Sequence, residues 1–244
     1  MSISRRSLFL AAPAALAAAG TVPGAPASGV DTQLGPPMVV GAPPLLMPRG
    51  IGPRWAPEVP PESLQMLLVI GEGREDNHAK ASWWERDADG WHARAAWPAR
   101  NGQRGWSAAH REGDLHTPVG VFTLSDAGGL RANPGTRLPY DHSEAYAIDG
   151  TGLSGEPLAG TFDHVLAIDY NRVPGSSPLD ERRPLGDELG GGIWLHIDHG
   201  GPTHGCVTLP REGVVALLRA LDPAAHPVVA MGDAAALSLG GQVS

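Results

Sequence analysis

The sequence predicts a mainly β (α+β) domain with one or two short helices. Three observations carry this. Apolar residues alternate with a period of two over short segments such as 164–170 and 193–198, which is strand patterning. The 33 glycines and 24 prolines imply many turns and little helix. Only the stretch from Pro210 to Leu221 spaces its apolar residues (Val214, Val215, Leu217, Leu218 and Leu221) on one helical face.

Taken in order, residues 1–27 read as a twin-arginine export signal, with Ser4-Arg5-Arg6-Ser7-Leu8-Phe9-Leu10, an apolar run to Ala19 and a small-residue cleavage motif at Ala25-Pro26-Ala27. The apolar run falls short of the roughly 20 residues a bilayer span takes, so membrane contact is expected only through this segment if it stays uncleaved. Residues 28–61, rich in Pro and Gly, read as a spacer, and the domain is expected over 62–233. Ser63 to Ile70 opens it as a strand. Ala81 to Arg86 and Trp91 to Trp97 flank Asp89-Gly90, a hairpin signal. Trp83, Trp84, Trp91 and Trp97 form either a packed layer or a platform for sugar rings. Thr117-Pro118-Val119-Gly120 reads as a turn before a strand at Val121 to Leu124, with His116 at the surface. Residues 128–160 form a long loop, of the length lids and substrate walls have. His164 to Tyr170 is a strand, Pro210 opens the helix, Pro227 to Met231 is the last strand, and 234–244 is a frayed tail.

The chemistry concentrates in Trp194 to Leu209, W-L-H-I-D-H-G-G-P-T-H-G-C-V-T-L. It holds the single cysteine, Cys206, and three of the ten histidines, His196, His199 and His204. A thiol beside imidazoles is a route to a nucleophile, because the thiolate attacks and a nearby base raises its population. Ile193, Leu195 and Ile197 alternate with Trp194, His196 and Asp198, while Val207 and Leu209 alternate with Cys206 and Thr208. Gly200-Gly201-Pro202 between them is turn chemistry. A hairpin centred on Gly201 sets Leu195 opposite Val207 and His196 opposite Cys206, so one face carries His196, Asp198, His204 and Cys206.

The string T-H-G-C-V-T-L resembles the [S/T]-H-G-C-[V/I]-R-[L/M] signature of the YkuD-type L,D-transpeptidases, with His196 as their upstream histidine. Thr117-Pro118-Val119-Gly120-Val121-Phe122 is similar to the T-P-x-G-x-F segment of the same family. The resemblance covers roughly 64–232. It implies a mixed β-sheet, sandwich- or barrel-like catalytic domain without a cofactor or metal. It also implies a cysteine acyltransferase acting on peptidoglycan stem peptides outside the cytoplasm, in the periplasm or cell wall. Catalytic roles fall on Cys206 as nucleophile, His196 as base, His204 as a supporting residue, and Gly205, whose N–H with that of Cys206 faces the oxyanion. Asp198 or a backbone carbonyl orients His196. Thr203, Thr208, Arg172 and Asp198 are candidates for the substrate side. Two departures stand out: His196 lies closer to Cys206 than in the best-known members, and Thr208 replaces the signature arginine. Arg172 is the candidate replacement, since a guanidinium binds carboxylate bidentately.

Formal charge is −8, which argues against nucleic acid and against a polybasic membrane attachment. A lone cysteine excludes an internal disulfide, and nothing indicates an oligomer, so a monomer is expected. Three other readings stay open: the acyl-enzyme passes to water, as in an L,D-carboxypeptidase; the domain is a non-catalytic peptidoglycan-binding relic; or His196, His199, His204 and Cys206 hold zinc.

Overall fold

The computed structural model describes residues 47–239. The expected export signal, the spacer as far as 46 and the end of the tail lie outside the described residues. The strands are β1 (Gln65–Gly71), β2 (His78–Asp87), β3 (Gly90–Arg100), β4 (Trp106–Ser107), β5 (Thr117–Pro118), β6 (Gly120–Thr123), β7 (Ala127–Gly129), β8 (Tyr140–His142), β9 (Val165–Ala167), β10 (Trp194–Ile197), β11 (Val207–Leu209) and β12 (Val228–Asp233). Helix α1 (Arg211–Ala220) follows β11, and α2 (Ala234–Leu239) follows β12. Ten strands form one mixed sheet in the order β6-β12-β1-β2-β3-β11-β10-β9-β7-β8, and β4 pairs with β5. This is the mainly β architecture that the alternating segments predict, with the mixed sheet that the family resemblance implies.

β1 is buried along almost its whole length, because both faces of the sheet are covered there. Leu67 and Val69 point into the main core with Val229 and Met231 of β12 and with Val214, Leu217 and Leu218 of α1. Met66 and Leu68 point the other way, into a second cluster with Val228, Ala230, Val59 and Leu237 of α2. Burying each such side chain stabilises by about 1.5–3 kcal/mol. The second cluster corrects two boundaries. Met47, Ile51 and Trp55 of the expected spacer pack against it, and Trp55 Nε1 donates to the Ala236 carbonyl. The expected frayed tail instead begins with α2, whose first N–H groups are capped by Asp233. Both segments are ordered by the apolar second face of β1 and β12, a non-local cause.

β2 and β3 close at Asp87 opposite Gly90, and the ladder shifts register at Trp83/Trp84. The shift divides the tryptophans. Trp83 is buried in the main core and Trp97 packs beside it, while Trp84 and Trp91 pack on the second cluster. Gly213 of α1 lies against Trp97, where a Cβ would come within 3.1 Å of the indole.

Candidate active site

β10 and β11 are adjacent, as the alternation implies, but they run parallel: Leu195 pairs with Val207, His196 with Thr208 and Ile197 with Leu209. The expected hairpin is therefore corrected. The connection does not reverse at Gly201. It travels to the end of β3, where Thr203 bridges to Gly102, its N–H donates to the Asn101 carbonyl, and its carbonyl accepts from Gln103. Gly102 is held in turn by Thr117 Oγ1, 2.8 Å from its N–H. Thr117-Pro118 thus does more than turn the chain: it pairs with β4 and braces the loop that carries the cysteine. The Leu195–Val207 pair is common to both registers, and the facial pattern survives. Leu195, Ile197, Val207 and Leu209 enter the main core. His196 and Thr208 share the other face with Trp194, next to which the Cys206 thiol lies.

The thiol is held from the start of β10. The Trp194 N–H donates to Cys206 Sγ at 3.4 Å, and the S–H donates to the Gly192 carbonyl at 3.7 Å. Among the described residues no hydrogen bond joins this sulfur to an imidazole. Cys206 and His196 stand one strand apart and two residues offset, a diagonal of about 8 Å between Cα atoms. His196 is 3% exposed. Its Nδ1 lies 3.0 Å from the Ile197 carbonyl. A carbonyl only accepts, so Nδ1 carries the proton and Nε2 the lone pair. The orienter is thus a backbone carbonyl and not Asp198. The ring is wedged between the edge of Phe162, at 5.1 Å, and the face of His199, at 5.7 Å. Glu156 Oε1 stands 3.0 Å from His199 Nδ1.

Several other residues sit where their expected roles are not served. Thr203 is 4% exposed. Its hydroxyl donates to the Cys206 carbonyl and accepts the Gly205 N–H. It braces the loop that carries Cys206 and does not face solvent as a substrate contact would, and the Gly205 N–H is already engaged. The Cys206 N–H has no such bond among the described residues and stays a candidate oxyanion donor. Gly205 has φ +155°, and a Cβ there would stand 3.0 Å from the His116 carbonyl and 3.2 Å from Ile193. Thr208 is fully buried and donates to Asp198 Oδ1. His204 is exposed. Arg172 is 6% exposed, and its guanidinium is consumed by Asp126, Asp169 and the Ser176 carbonyl. It replaces no substrate-facing arginine. Among the described residues no group of three or more His, Cys, Asp or Glu side chains is arranged to hold a metal ion.

Burial sets the electrostatics. It pushes His196 from 6.5 down to about 4, which the Ile197 carbonyl opposes and His199 reinforces. It pushes the Cys206 thiol up to about 11, opposed by the Trp194 N–H. The resting pair is therefore neutral thiol and neutral imidazole, and not an ion pair. Two expectations follow. Iodoacetamide should modify Cys206 at pH 8 on the order of 100-fold more slowly than a free cysteine, because so little is thiolate. His196 is neutral in the fold well below the pH at which it protonates in the unfolded chain. The unfolded state thus binds the extra proton between pH 6.5 and 4, and stability falls on acidification through that window by about 3 kcal/mol. Urea midpoints at pH 7 and pH 4 should show this loss, and His196→Gln should remove that part of it.

The sequence reading passed over three groups. His110 is buried, with Nδ1 2.9 Å from Asp114, its ring against Tyr170 and its Cε1 3.7 Å from where a Gly205 Cβ would stand. Its i, i+4 spacing to Asp114 was the available signal. His116, expected at the surface, is half-buried beside it, 3.6 Å from the same carboxylate. Arg100 ends β3 directly opposite Thr208, which only the strand order reveals.

The L,D-transpeptidase catalytic domain (YkuD) matches residues 76–229, more than half of the chain, and the protein belongs to that family. Among solved structures it is similar to Bd1075 of Bdellovibrio bacteriovorus, with 17% identity, a TM-score of 0.39, and 70% of this chain and 48% of that one covered. It is similar also to Pgp2, the helical cell shape determining protein of Campylobacter jejuni, with 17% identity, a TM-score of 0.38 and the same coverage of 70% and 48%. The chain thus spans about half the length of these two proteins. No curated protein matches it.

Proposed function

We propose that this chain is a cysteine acyltransferase of the L,D-transpeptidase type, acting on peptidoglycan stem peptides outside the cytoplasm. The observation that supports it most is the arrangement of Cys206 and His196. They lie on one face of adjacent parallel strands, and the Ile197 carbonyl fixes the imidazole with its lone pair on Nε2. As Sγ attacks the peptide carbonyl, its proton passes to Nε2, and the Cys206 N–H faces the developing oxyanion. The C–N bond then breaks and His196 returns the proton to the departing amine, leaving a thioester. An amine of a second stem peptide takes the acyl group, giving a 3→3 cross-link. The Arg5-Arg6 segment supports export, which fractionation of cells expressing the full chain would test.

The direct test is intact-mass measurement after incubation with a carbapenem. The expected result is one adduct on the wild type and none on Cys206→Ala. No adduct on either overturns the acyl-enzyme and favours a peptidoglycan-binding relic. With a tetrapeptide and an amine acceptor, a cross-linked product supports transfer, whereas tripeptide alone means that water is the acceptor.

A further inference from the structure

The polar face around the nucleophile extends across four adjacent strands as one row. His78 of β2 is opposite Arg100 of β3, Arg100 is opposite Thr208 of β11, and Thr208 is level with His196 of β10. Cross-strand partners project from the same side of a sheet, so Arg100 shares the face of His196 and stands beside the position where the family signature has its arginine and this chain has Thr208. The offset from Arg100 to Cys206 is again one strand and two residues, about 8 Å between Cα atoms, which an arginine side chain spans.

The guanidinium is aimed from both flanks. Asp76 Oδ1 holds His78 Nδ1 at 2.9 Å, which leaves His78 Nε2 to accept from Arg100 Nη1 at 3.0 Å. On the other side Arg100 Nε stands 3.7 Å from Asp198 Oδ1. That oxygen also accepts from Thr208 Oγ1 at 3.0 Å and from the Gly200 N–H at 3.3 Å. The buried threonine therefore fixes the carboxylate, and the carboxylate fixes the arginine. Arg100 Nη2 carries no hydrogen bond among the described residues, and the side chain keeps 29% of its exposure. The result is a restrained guanidinium with a free donor edge, on the nucleophile's face and open to solvent.

We propose that Arg100 binds a free carboxylate of the acyl-donor peptide within about one residue of the scissile bond, the task for which the sequence alone suggested Arg172. The inference rests on the stem-peptide reading above. The carboxylate is either the α-carboxylate of the leaving residue or a side-chain carboxylate of the residue before it. Charge-assisted pairing of this kind contributes roughly 10–100-fold in affinity.

The test separates recognition from chemistry. The full chain carrying Cys206→Ala, which cannot be acylated, is titrated calorimetrically with a stem tetrapeptide and with two analogues, each amidated at one of the two carboxylates. Amidating the recognised carboxylate should weaken binding by roughly 10–100-fold, and the position that matters identifies which carboxylate it is. Adding Arg100→Ala should abolish that preference, and Arg100→Lys should restore part of it. A preference that survives Arg100→Ala, no preference with Arg100 present, or no binding at all overturns the inference. A carboxylate preference without a carbapenem adduct would sink the acyl-transfer reading and leave this subsite standing. An adduct without the preference does the reverse.

Discussion

Cys206→Ser should lower the acyl-transfer rate by about 10,000-fold to a million-fold, and adding His196→Gln to it should cost less than about tenfold more. The second half of this expectation is the sharper one. The thiol is pushed up to about 11 and His196 down to about 4, so neither group is charged at neutral pH. Under the proposed acyl transfer the imidazole then has no resting thiolate to stabilise. It would act only while the proton moves, and with the sulfur gone that base function would have no partner. His196→Gln alone should therefore cost about 100-fold to 10,000-fold. A double variant showing the full product of the two single losses would mean that the residues act separately. Single-turnover acylation followed by mass spectrometry supplies the three rates, and circular dichroism checks that each variant is folded.

Arg172→Met should destabilise the fold by about 3–5 kcal/mol. Among the described residues the guanidinium is the one cation paired with two carboxylates, Asp126 and Asp169, whose side chains are each 2% exposed. Asp126 also accepts the Gly175 N–H at 2.8 Å, and Asp169 the Thr123 hydroxyl at 2.5 Å. Burial already raises the Asp169 pKa, against the pull of Thr123 and Arg172. Removing the cation leaves two uncompensated buried charges, and Asp169, whose pKa burial already raises, responds by holding its proton in the folded state. It then binds more protons folded than unfolded, so the variant loses stability as pH rises. Its deficit relative to the wild type should be larger at pH 8 than at pH 5. Urea midpoints at both values check this, and an equal deficit at both would rule out buried charge as the cause.

How much of this was legible beforehand follows from the range of the interactions. Period-two alternation located β9, β10 and β11 within a few residues, the Asp89-Gly90 signal located β2 and β3, the apolar run 63–70 located β1, and the spacing of Val214, Leu217, Leu218 and Leu221 located α1, because these signals are local. That Cys206 and His196 share one face was legible from the alternation, but the structure sets His196 opposite Thr208 and not opposite Cys206. The direction of β11 was not. Gly200-Gly201-Pro202 bends the chain in either topology, and what decides is the attachment of Thr203 to Asn101 and Gly102, about a hundred residues earlier in the chain. The same reason hid the fate of Arg172, whose carboxylate Asp126 lies on a distant segment, and that of Arg100, whose neighbour Thr208 is fixed only by strand order. The misplaced domain start has a related origin. Ile51, Trp55 and Val59 sit four residues apart in a stretch rich in proline and glycine, and they cover a second apolar face of β1 that the flanking composition hid.

The parallel setting of β10 and β11 changes what the intervening segment is free to do. In a two-arm ribbon, one added residue at the bend would swing the thiol to the far side. Here β3 and Thr203 anchor the returning strand independently of how much chain lies between. Extra length near Gly200 would bulge into solvent and leave the sulfur and the ring in register. The number of residues between His196 and Cys206 is therefore decoupled from whether the two share a face.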